Sequence, residues 1–73
     1  MQMVKLSYNK LWKVLFCKKM KKKTLMEKTG VSKATLAKMK RGEPVSLEVI
    51  ARICIELGVD IGDVVELEKE LFI

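Results

Sequence analysis

Residues 19–42 read KMKKKTLMEKTGVSKATLAKMKRG, and their spacing decides the fold. A helix is predicted from about Lys22 to Lys28, with Leu25 and Met26 turned inward. Thr29-Gly30 stops it, because glycine enters the left-handed conformation of a helix end without steric cost. Ser32 is the strongest cap signal in the chain: its hydroxyl can accept a backbone N–H of the following turn, which opens another helix at Lys33. Leu36 and Met39, three apart, face inward. Gly42-Glu43-Pro44 ends this helix, since Pro44 lacks an N–H and disfavours helical geometry in the residue before it. Two helices joined by a three-residue turn containing glycine make a helix-turn-helix, here over about residues 22–41. The outward positions of its second helix are Lys33, Ala34, Thr35, Ala37, Lys38 and Lys40. Small and basic side chains on an exposed helix suit the major groove of DNA, which admits one α-helix.

Outward from this core, the flanks also read as helices. From Asn9, a candidate N-cap, Leu11, Val14, Leu15 and Lys18 fall on one face, with the Lys18 stem extending the stripe and Trp12 and Phe16 widening it. This helix is expected to end near Lys19. Ser46 caps a further helix with Glu48 in its first turn. Its stripe is Leu47, Ile50, Ala51, Cys54 and Leu57, widened by Val49, Ile53 and Ile55, and Gly58 stops it. Asp60 then caps a fifth helix, Ile61 to about Val65. Residues 3–7 and 65–68 alternate with period two. Two readings stay open for the end of the chain: a two-stranded pairing with Met3–Ser7, or a helix over Glu66–Phe72. Cys54 is read as core and Cys17 as a boundary residue. Met20, Met26 and Met39 are read as core filler, and Trp12 as an anchor at the core's edge.

Charge is segregated along the chain. Residues 1–41 hold thirteen basic side chains and one acid, Glu27, for a net +12, while residues 42–73 carry a net −6. A positive face of this kind points to a polyanion, nucleic acid before an anionic membrane surface. Other classes recede. The 73 residues suit one domain. With no histidine and two cysteines 37 positions apart, a Ser-His or Cys-His nucleophile, a four-ligand zinc site and a disulfide scaffold are excluded. No secretory signal is visible, and the longest apolar run, Val14–Cys17, is far below the roughly 20 residues that span a bilayer. A cytoplasmic protein without cofactor or enzymatic activity is expected.

At this point the sequence resembles a known family. Residues 19–42 are similar to the helix-turn-helix of the Cro and phage-repressor (xenobiotic-response-element) superfamily. Its pattern runs Leu-Ala-x-x-x-Gly-[small or Val]-Ser-x-x-[Thr or Ser]-[Leu or Ile]-x-x-[Leu or Met]-x-x-Gly. Leu25, Gly30, Val31, Ser32, Thr35, Leu36, Met39 and Gly42 match it. The following SLEVIARICIELGVDIGDVV, residues 46–65, resembles the family's next two helices. Two departures stand out: Met26 where the family carries alanine at the closest approach of the two helices, and the lysine density of residues 18–23.

The resemblance implies an all-α fold, a five-helix lambda-repressor-like domain, with the terminal β pairing as an optional addition. It implies base-edge contacts from Lys33, Ala34, Thr35 and Lys38, and phosphate contacts near Lys22 and Lys23. Ser32, which opens the reading helix, is placed with these residues. The chemistry of the side chains agrees: a lysine at 33 can donate to guanine O6 or N7, and the methyls of Ala34 and Thr35 can meet a thymine methyl. Lys40 and Arg41 suit backbone contacts at the far end.

The expected function is sequence-specific binding of double-stranded DNA by a bacterial or phage transcriptional regulator. A homodimer is expected, because pairing over a palindrome doubles a small interface. Leu67, Leu71, Phe72 and Ile73 are the residues expected to join the two copies. The alternative from a different class is a protein-interaction module, an antitoxin or anti-repressor on the same fold. A membrane-surface binder is set aside, because the apolar helix faces are needed for the core.

Overall fold

Glycines and serines punctuate the helices where the sequence places them. In the computed structural model, which describes residues 5–68, the order is β1 (Leu6–Ser7), α1 (Asn9–Cys17), α2 (Lys22–Thr29), α3 (Lys33–Lys40), α4 (Leu47–Leu57), one 3-10 turn (Ile61–Asp63) and β2 (Glu66–Leu67). Ser32 and Ser46 cap α3 and α4, each hydroxyl accepting the N–H three residues on, from Thr35 at 3.1 Å and Val49 at 3.2 Å. Gly30 and Gly58 close α2 and α4 in the left-handed conformation.

The described residues form four helices, not five. Asp60 and Asp63 form a reciprocal capping box, so the backbone donors of the predicted fifth helix are satisfied within a single 3-10 turn. The chain then extends, because Glu66 and Leu67 find partners in β1, antiparallel with Leu6 opposite Leu67 and Ser7 opposite Glu66. The ribbon is the terminal pairing that the alternation allowed, and residues 66–67 are not helical. The Met3–Val4 half of the predicted strand and residues 69–73, including Leu71, Phe72 and Ile73, lie outside the described residues. A two-stranded ribbon is marginal by itself. Here it is held from below: the Leu6 N–H donates to the Gly42 carbonyl at 2.8 Å, joining β1 to the end of the helix-turn-helix.

α1 is shorter than its pattern. It stops at Cys17, where Lys19 turns left-handed at φ 55° and the Met20 N–H reaches back to the Leu15 carbonyl at 2.9 Å. This is the six-to-one closure of a Schellman end, with Met20 half-buried beside buried Leu15. Lys18, read as part of the apolar stripe, is therefore the exposed C-cap residue.

The core joins Tyr8, Leu11 and Leu15 to Leu25, Val31, Leu36, Met39, Ile50, Ile53, Cys54, Leu57 and Val64. The helical pattern did not name Val64 as core, and it also missed Tyr8. Tyr8 sits three and seven residues ahead of Leu11 and Leu15, on their face, and its buried hydroxyl donates to the Glu43 carbonyl at 3.0 Å. The outer members of the predicted stripes turn out to face solvent: Phe16 is 85% exposed, Leu47 63% and Ile55 82%. α4 carries eight apolar residues in eleven, more than the arc one helix can direct at a core on one side.

Cys54 is buried, and burial, with Asp60 and Asp63 adding to it, pushes its thiol above the usual range. Cys54→Ser is expected to destabilise the fold by about 1–3 kcal/mol, because it buries a hydroxyl with no assured partner. Thermal melting checks this: a drop of several degrees is expected, and equal melting temperatures would contradict it.

Candidate nucleic-acid interface

The turn between α2 and α3 is built from short-range bonds. The Thr29 hydroxyl donates to the Leu25 carbonyl at 2.7 Å and accepts from the Val31 N–H at 3.3 Å. Gly30, at φ 76°, sends its N–H back to the Met26 carbonyl at 2.9 Å, and Val31 drops into the core. Ser32 then starts α3, with its hydroxyl 2.9 Å from that of Thr35. The pairing engages both oxygens locally and makes Ser32 chiefly the cap of this helix.

The sequence-predicted positions divide clearly. Ser32, Lys33, Ala34, Lys38 and Lys40 are exposed, Thr35 is half-buried, and Ala37, read as outward, is half-buried as well. Leu36 and Met39 anchor the opposite side of α3 in the core. Lys22 and Lys23 are exposed at the start of α2. Four ion pairs form among the described residues: Lys10 with Glu66, Lys28 with Glu56, Arg41 with Glu43, and Arg52 with Glu48. Lys22, Lys23, Lys33, Lys38 and Lys40 take part in none of them. Arg41 differs from these lysines, since its guanidinium donates to the Glu43 carboxylate.

One grouping was not legible in the sequence. Lys22 and Lys40, at opposite ends of the motif, stand side by side, and the Lys22 ammonium lies over the Trp12 ring, 4.6 Å from its centroid. Although Lys22 is exposed, partial desolvation of its ammonium and then the neighbouring Lys40 charge hold it below the usual lysine range. Two like charges held together at a helix start favour an anion, because a phosphate oxygen relieves their repulsion and also meets free backbone N–H groups. The hollow beside them, about 240 Å³, is lined by Lys5, Tyr8, Trp12, Lys40, Arg41 and Gly42 among others. Only contacts between α1, α2 and α3 create this cluster, so no spacing rule finds it.

A second groove, about 290 Å³, runs between α3 and the start of α4, lined by Thr35, Lys38, Pro44, Val45, Ser46 and Val49. Met26, the departure from the family alanine, is half-buried and packs against the core. Among the described residues no helix is long and apolar enough to cross a membrane, and no group of three or more potential ligands is placed to hold a metal ion.

Comparison with known proteins agrees with this geometry. The family model described as the Cro/C1-type HTH DNA-binding domain matches residues 10–70. Among solved structures, a crystal structure of the transcriptional regulator VanUg is similar, with 48% sequence identity and a TM-score of 0.85. The match covers 93% of this chain and 91% of that one. Comparison with curated proteins gives no match.

Proposed function

The chain belongs to the Cro/C1-type helix-turn-helix DNA-binding family, and from that membership we propose that it is a sequence-specific regulator of transcription that binds double-stranded DNA as a homodimer. It acts by binding, not by catalysis. One observation carries this reading: α3 presents exposed Lys33, Ala34 and Lys38, and no acid among the described residues forms an ion pair with its lysines. α3 is the element placed in the major groove. Lys33 and Ala34, at its start, read base edges together with the Thr35 methyl and Lys38, while Lys22, Lys23 and Lys40 hold phosphates. Arg41 reaches a phosphate at the expense of its Glu43 pair. The similarity to a transcriptional regulator supports the same assignment.

Selection of bound fragments from random duplex DNA, followed by titration at several salt concentrations, tests this. Enrichment of a palindrome is expected. Affinity should fall with salt at a slope of about −0.9 for each phosphate neutralised. No enrichment even at low salt overturns the proposal and leaves the interaction module in its place.

A further inference from the structure

Among the described residues, α4 has an outer side that no other element covers. Leu47, Ala51 and Ile55 follow one another every four residues, so they form a single row along the helix. Leu47 and Ile55 are exposed and Ala51 is half-buried. Beside this row run Glu48 and Arg52, paired at 2.9 Å.

The position of the row around α4 matters. Val49, which lines the groove beside α3, lies about 160° around the helix from Ala51 at 100° per residue. Glu56 turns to Lys28 of α2. The row therefore points away from the helix-turn-helix, and covering it leaves α3 open.

Charge decides what can cover it. α1 carries Lys10 and Lys13 and no acid, α2 sets Glu27 against Lys22, Lys23 and Lys28, and α3 has three lysines and no acid. Any of these faces would meet its own copy with like charges. α4 alone balances its charges to within one unit, with Glu48 and Glu56 against Arg52. Its outer side also complements itself: in an antiparallel crossing, an acid at 48 falls near a base at 52 on both sides of the axis.

We propose that this outer side of α4 is the docking face for a second copy of the chain, the two α4 helices crossing antiparallel about a two-fold axis at Ala51. Leu47 then packs on the partner subunit's Ile55, and the same contact recurs across the axis. The small Ala51 lets the two backbones approach, and Glu48 meets the partner subunit's Arg52. The inference rests on the homodimer reading and names its surface, in place of the chain-end residues that the sequence suggested.

Sedimentation equilibrium of the full chain tests it, with melting curves as a check on folding. Ile55→Lys is expected to weaken self-association roughly tenfold or more, while leaving the melting temperature unchanged at concentrations low enough to keep both proteins monomeric, because the side chain is exposed in one copy. Glu48→Arg alone should weaken association by placing four positive charges at the crossing, and adding Arg52→Glu should restore it. Unaltered association of Ile55→Lys overturns the proposal. So does a wild-type chain that stays monomeric at high micromolar concentration, with and without DNA, while still binding its duplex, a result that spares the DNA-binding reading. Wild-type dimers that Ile55→Lys disrupts but that bind no duplex at low salt support the face and overturn the regulator reading instead.

Discussion

Gly42→Ala is expected to cost about 3 kcal/mol or more of folding stability, from left-handed strain and overpacking together. Gly42 adopts φ 76°, and a Cβ there would sit 2.7 Å from the Leu6 carbonyl oxygen. That oxygen is backbone and cannot rotate away. Strand β1 would have to move, although the Leu6 N–H is bonded to the Gly42 carbonyl and Leu6 is paired with Leu67. One methyl thus opens the seam between the helix-turn-helix and the ribbon. Gly58 is the internal comparison, because it has a similar φ of 68° with nothing within 4 Å of an added Cβ. Gly58→Ala should therefore carry only the left-handed cost, about 1–2 kcal/mol. Urea unfolding of both variants measures the difference, and equal losses would show that the contact with Leu6 is not the cause.

The second large effect is on DNA, and it separates reading from holding. Lys33→Ala should weaken binding to the matched duplex by about 1–3 kcal/mol and change the preference at one base position, with little loss elsewhere. Lys22→Ala and Lys23→Ala should weaken all sequences about equally, and each lost phosphate should lower the salt slope by about one. The side-by-side placement of Lys22 and Lys40 adds a sharper expectation. If the two lysines share one phosphate, either single replacement leaves it neutralised and the slope nearly unchanged, and the double replacement lowers the slope by about one. A fall of about two would assign them separate phosphates. Titrations of matched and single-mismatch duplexes at several salt concentrations supply these numbers. Equal weakening of every duplex by Lys33→Ala would move Lys33 from the bases to the backbone.

The two effects meet in the fold. Gly42 ends α3 and supports β1, while Lys40, two residues earlier, faces Lys22 across the top of α2. Trp12 of α1 lies under that lysine pair through its contact with Lys22. The ribbon and α1 thus brace the basic cluster as well as the core.

Most of what depends on near neighbours was legible in the sequence, the early end of α1, with Lys19 left-handed, being an exception. The serine caps at 32 and 46, the glycine stops at 30 and 58, and inward Leu25, Val31, Leu36 and Met39 all follow from bonds and faces spanning three or four residues. Such interactions are written in the spacing itself. The net +12 of the first 41 residues likewise points to a polyanion. Tertiary structure decided the rest, because each remaining feature depends on what a distant residue supplies. Periodicity counted Phe16, Leu47 and Ile55 as inward, but a core reaches only one arc of a helix and that arc was taken by other residues. The Asp60 cap promised a helix, and the pairing of Glu66 and Leu67 with β1 drew the chain out after one turn. Tyr8 entered the core because a carbonyl 35 residues away accepts its hydroxyl. Lys22 and Lys40 came together because three helices meet beside Trp12, and long-range packing of that kind leaves no period in the sequence.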